Sequence, residues 1–188
     1  MSTNAVPAEN PLRKLFEEIV YGCYSQTSEL NDAEISHYVA GILTDFAETE
    51  QLYRIRDRRG RPLREVSDML VASDPVYGDA YSFPREREVR KHIGDFSLFF
   101  TGMFPESAQW LRRNQQESLQ ALKRAGKESY YIVSQFNVFE FEQEAPLFAR
   151  LADAFDACAE GLMQVRKELD RRRLLPHPNP TPPPKLLM

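Results

Sequence analysis

Cysteine and histidine are scarce in this chain, and no apolar run is long. The 188 residues include two cysteines and three histidines, too few for a disulfide framework or for zinc-type spacing. Cys23 and Cys158 both fall on apolar helical faces, which predicts reduced thiols in a cytoplasmic protein. Neither has a neighbouring base in sequence that would make it a nucleophile. The longest apolar stretch, 96–104, has nine residues against the roughly 20 a bilayer requires, so no membrane span is expected. The opening MSTNAVPAE carries neither a basic start nor an apolar run, so no signal peptide is expected. Walker loops, Gly-x-Ser-x-Gly elbows and dinucleotide fingerprints are also missing. With a net charge of −4 and a pI of about 5.5, there is no global attraction to nucleic acid or anionic membrane.

What the chain does have is helical periodicity. With 42% hydrophobic residues, it can bury one sizeable core. The expected fold is all-α: a single-domain bundle of about six or seven helices over 10–175, preceded by a disordered 1–9. The tail 176–188 contains six prolines in PHPNPTPPPKLLM and is expected to be extended.

The stretch 82–106 organises the rest. Ser82 is placed to cap a helix, and Pro84 sits in the first turn, where its missing N–H costs nothing. Val89, Ile93, Phe96, Phe100 and Met103 draw one apolar stripe. Gly94, Ser97 and Thr101 draw a second stripe of small residues. Glycine inside a helix costs about 1 kcal/mol relative to alanine, so this stripe predicts close approach by another backbone. Phe104-Pro105 ends the run.

Helices are also expected over 10–24, capped by Asn10, and over 32–48, with Asn31 and Glu34 as a capping box. Others are expected over 62–72 and over 105–113, and near 114–126, capped by Asn114. The segment 130–141 suits either strand or helix, and helix is favoured. From Pro146 the apolar seam Leu147, Leu151, Phe155, Cys158, Leu162, Val165 and Leu169 predicts one last helix of about six turns. Residues 52–61 read as a short hairpin or loop.

Three features could carry chemistry. His92 and Asp95 lie three apart on the central helix, and Asp95 falls where that helix becomes apolar all round. They form either a ligand-orienting dyad or, as the simpler reading, a polar clamp to a neighbouring element. The arginines Arg54, Arg56, Arg58, Arg59 and Arg61, continued by Arg64, could grip phosphates, an acidic partner or nucleic acid, or stand as a solvated loop. The charged run Arg85 to Lys91 reads as a solvated face. Tyr130 and Tyr131 open an aromatic segment that could line a pocket or an interface. Glu34 and His37 make one Glu-x-x-His pair, where a di-iron bundle needs two, so no metal or cofactor is expected.

The block His92, Gly94, Asp95, Leu98, Phe99, Gly102, Phe104, Pro105 and Glu106, followed by Ser129-Tyr130-Tyr131, resembles a pattern in uncharacterised bacterial proteins with a Gly-Asp, Leu-Phe, Gly-x-Phe-Pro-Glu core. The resemblance covers about Tyr53 to Phe136. It implies a helical intracellular bacterial protein and brings no activity, cofactor or catalytic residue with it.

The leading functional expectation is a non-enzymatic interaction or adaptor protein with a protein partner, possible also as a homodimer. The alternative is a small-molecule-binding protein or enzyme with a pocket near His92 and Asp95. Nucleic-acid contact through the arginine loop ranks third.

Overall fold

The structure is a computed structural model that describes residues 10–106 and 119–175. It is an all-α bundle. In chain order the helices are α1 (Pro11–Tyr24), α2 (Ala33–Phe46), α3 (Thr49–Leu52), α4 (Val66–Ala72), α5 (Phe83–Met103), α6 (Leu119–Ser134), α7 (Ala145–Asp153) and α8 (Phe155–Arg171). Among the described residues, no helix is long and apolar enough to cross a membrane. Of the helices expected over 105–113 and 114–126, residues 107–118 lie outside the described residues, as do the N-terminal segment and the proline-rich tail, while 119–126 belong to α6.

α5 is central. Ser82 caps it by accepting from the Arg85 amide, and residues 92–99 are all buried. α6 packs along it on one side and α8 on another, while α1 and α2 pair with each other and α7 lies on α6 and α2. The small-residue stripe is where neighbours come closest. A Cβ added to Gly94 would overlap the Tyr130 ring, and one on Gly126 would meet Phe155 at 2.5 Å and Ser97 at 2.8 Å. At Gly102 the neighbour includes backbone, the Ala159 carbonyl at 3.1 Å. The expected close approach is therefore made by another backbone at Gly102 and by aromatic side chains elsewhere. Gly126 does not end a helix as its position suggested. It is a packing notch, and α6 runs on through it to Ser134.

Four further expectations need correction. Asp32, not Asn31, caps α2, accepting from the Glu34 and Ile35 amides at 2.9 and 3.1 Å. Glu34 instead joins Asp32 in pairing with Arg150 of α7. Pro62 does not open a helix, because residues 55–63 form a tight antiparallel turn with an isolated bridge between Arg56 and Pro62. Gly60 adopts φ +78° there, a conformation open to glycine at little cost, and α4 begins only at Val66.

The segment 130–141 divides. Its first residues complete α6, and Phe139–Phe141 form one 3₁₀ turn with Phe139 at φ +54°. The last helix is broken at Ala154 (φ −91°, ψ 13°) into α7 and α8. The apolar seam continues across this break, but its halves have different neighbours: α7 packs on α6 and α2, α8 on α5 and α1. Tyr24 secures α1 to α8 by donating to the Cys158 carbonyl at 2.8 Å.

Candidate functional site

Asp95 is 5% exposed and forms the centre of a polar knot inside the bundle. Its Oδ1 accepts from the hydroxyls of Tyr38 on α2, at 2.6 Å, and Tyr130 on α6, at 2.8 Å. Its Oδ2 accepts from Lys91, one turn earlier on α5, at 3.2 Å. A buried carboxylate needs such partners, since an unpaired one costs several kcal/mol. Burial, and then the neighbouring Asp95 charge, push both tyrosine hydroxyls well above their ordinary pKa, which keeps them as donors. Phe148 packs edge-on against Tyr38 at 5.4 Å and beside Tyr130 at 5.7 Å, filling the space around the knot. Three helices far apart in sequence thus converge on one carboxylate.

His92 turns elsewhere. It is fully buried, and its Nε2 lies 3.1 Å from the Leu52 carbonyl at the end of α3. Since a carbonyl can only accept, Nε2 carries the proton. Phe46 and Phe96 flank the ring at 5.6 and 6.1 Å, and Nδ1 has no hydrogen-bond partner. Burial, reinforced by the Arg54 charge, lowers the imidazole pKa from 6.5 to about 4. His92 and Asp95 therefore share a helix and an electrostatic environment while holding different elements. This is the clamp arrangement, carried out by two residues with separate partners.

The depressed His92 pKa has a defined sign. The unfolded chain takes up this proton near pH 6.5, whereas the folded protein resists it until about pH 4. The stabilisation is complete above pH 6.5 and is lost as pH falls towards 4. A shift of that size corresponds to roughly 3 kcal/mol in full. Urea unfolding at pH 7 and 4.5 should show that His92→Gln loses about 2 kcal/mol less over this interval than the unsubstituted protein. Equal losses would show that His92 does not carry the effect.

The arginine run divides by direction. Arg56 donates to the Gly60 carbonyl at 2.9 Å, and Arg61 pairs with Asp57 at 2.8 Å. Arg58 pairs with Asp79 and donates to the Gly78 carbonyl at 3.1 Å, and Arg59 is exposed. Most of the run therefore ties down its own turn and the adjoining loop. Arg54 alone turns inward, and its buried Nε has no hydrogen-bond partner.

Arg54 faces an open cleft of about 580 Å³ at the N-terminal end of α5. Its lining includes four cationic side chains, Arg54, Arg85, Arg87 and Lys91, against the single carboxylate of Glu88, together with Tyr81 and Phe141. Arg85 is paired with Glu88 at 2.9 Å and donates to the Arg56 carbonyl at 3.0 Å. The Arg87 side chain is only 8% exposed and pairs with Glu144 at 2.5 Å. Its guanidinium stacks 4.3 Å from the Phe141 ring centre and 5.5 Å from that of Phe148, while its buried Nε lacks a partner.

The solvated reading of 85–91 therefore fails at Arg87. The available signal was its register: it lies seven residues before Gly94, on the small-residue stripe that faces α6. Its partners, 54 to 61 residues away in sequence, gave no signal. The tyrosine pair also separates, with Tyr130 buried in the knot and Tyr131 59% exposed.

Among the described residues, no group of His, Cys, Asp and Glu could hold a metal ion. His37 pairs with Glu17 at 3.1 Å rather than with Glu34. Burial pushes the Cys158 thiol up to about 12 and raises that of half-buried Cys23, the reverse of what activates a nucleophile. No family model, curated protein or solved structure matches the chain.

Proposed function

We propose that this protein is a non-enzymatic interaction module of the bacterial cytoplasm, which engages an acidic protein partner at the N-terminal end of α5. The observation that carries this reading is the combination of the cationic cleft with exposed aromatics around it. Tyr81 and Phe83 are 82% and 48% exposed. Phe83 stacks on Phe136 at 4.2 Å and lies 6.4 Å from Phe141. Phe139, 84% exposed and in the left-handed backbone region, stands at the same 3₁₀ turn as Phe141. A bulky residue held in that conformation is an outlier of the kind found at recognition sites. Arginine and aromatic side chains are also the residues that dominate interface energetics.

The knot at Asp95 supports an interaction protein rather than an enzyme pocket at that position, because its oxygens are occupied by Tyr38, Tyr130 and Lys91.

The test is affinity capture from native lysate with the full chain, alongside Arg85→Glu and Tyr81→Ala variants. A defined partner held by the unsubstituted protein, and by an Arg59→Glu control in the outlying turn, should be lost by at least about tenfold on charge reversal at Arg85. Equal capture by all variants would move the interface away from this surface.

A further inference from the structure

We infer that the cleft at the start of α5 is a binding site for a phosphate monoester, with Arg54, Arg87 and Lys91 as its ligand-facing cations. The inference rests on the interaction reading and specifies the group recognised.

The cleft holds more positive charge than its own walls neutralise. Of the four cations lining it, Arg85 is matched by Glu88, Arg87 by Glu144 and Lys91 by Asp95. Arg54 contributes a positive charge that helps burial lower the His92 pKa and only partly opposes the rise at Tyr38, and the Nε groups of Arg54 and Arg87 are buried without acceptors. A buried N–H with no acceptor keeps its desolvation cost unrepaid, and here two such groups belong to residues that line one cavity. Arg87 is held there by rings on one side and Glu144 on the other, so it is preorganised rather than mobile.

The number of donors favours a phosphoryl group over a carboxylate. A dianion with three terminal oxygens offers acceptors to several donors at once and matches guanidinium geometry. A single carboxylate would leave part of that donor set unused. The α5 N-terminus adds to the same field, since Ser82 and Pro84 also line the cleft and the first turn of a 21-residue helix carries partial positive charge. Tyr81 and Phe141 supply an apolar flank for the body of the ester.

The test is titration calorimetry on the full chain with inorganic phosphate, phenyl phosphate and benzoate, at ionic strength held constant with chloride. Phenyl phosphate should bind more tightly than inorganic phosphate, and benzoate should bind weakest. Arg54→Gln should weaken phenyl phosphate binding by about 10- to 100-fold, the loss of one or two charge-assisted hydrogen bonds. Arg59→Gln should leave it unchanged. A melting curve for each variant separates lost binding from lost fold, and Lys91→Gln provides a second variant should Arg54→Gln prove unfolded. Equal binding of benzoate and phenyl phosphate, or full binding by folded Arg54→Gln and Lys91→Gln, would overturn the site. If partner capture still depends on Arg85 while phosphate esters do not bind, the interaction surface stands and the phosphate assignment falls.

Discussion

Replacing Asp95 with alanine is expected to lower the unfolding free energy by about 4 kcal/mol. The substitution removes the acceptor of two buried hydroxyls. Tyr38 and Tyr130 then keep their desolvation cost with nothing in return, at about 1 to 3 kcal/mol each. Lys91 also loses its carboxylate, although that side chain is 27% exposed and can turn towards water. Asp95→Asn, which keeps one acceptor oxygen, should lose roughly half as much. Urea denaturation with matched m-values measures both. A double-mutant cycle with Tyr130→Phe should give a coupling of at least about 1 kcal/mol, because the residues are in contact. A loss below 1 kcal/mol for Asp95→Ala would mean that the carboxylate does not tie α2, α5 and α6 together.

Gly94→Ala reverses a familiar sign. At an exposed helical position, glycine to alanine stabilises by about 1 kcal/mol. Here the new methyl would overlap two ring carbons of Tyr130 and lie 3.0 Å from a third. That ring cannot retreat without breaking its bond to Asp95 or disturbing Phe148 and Phe155, which pack at 5.7 and 6.0 Å. Overpacking of this kind costs about 1 to 3 kcal/mol and the forgone hydrogen bond adds about 1 more, so after the propensity gain of about 1 kcal/mol is subtracted a net loss of about 2 kcal/mol is expected. Thermal unfolding should show a fall in Tm of several degrees or more. Gly22→Ala, where a Cβ meets nothing within 4 Å, serves as the open-space control and should be neutral or slightly stabilising.

The features legible in the sequence were those set by local spacing. Asn10 and Pro11 mark the start of α1, and Ser82 and Pro84 that of α5, because capping is a relation between residues two or three apart. The stripe of Gly94, Ser97 and Thr101 announced a notch for the same reason. Even the need of Asp95 for a partner could be read from its place on an apolar helix. What filled that need could not, because Tyr38 is 57 residues away and Tyr130 is 35.

The cleft was hidden by the same distance. Arg87 belongs to a run that reads as solvated and Arg54 to one that reads as either a grip for anions or a solvated loop, and only the fold sets the first against Phe141 and Glu144 and brings the second to the same cavity. The Ala154 break was hidden differently. The seam from Leu147 to Leu169 keeps its period across it, so no local signal changes where the chain turns from one set of neighbours to another.

That break governs how the bundle can come apart. A continuous closing helix would dock and leave as one piece. With the chain bent at Ala154, α7 is held by Arg150 to Asp32 at the start of α2, while α8 lies in the groove of α1 and α5, fastened by Tyr24 below and by Arg166 on the Met103 carbonyl and Glu106. The C-terminal segment can then detach in stages. Opening of α8 would expose Cys158 and Leu162 to solvent exchange while α7 still covered the Tyr38–Tyr130 pair. The packing of α7 on α6 and α2 would thus persist through excursions that release the C-terminal helix.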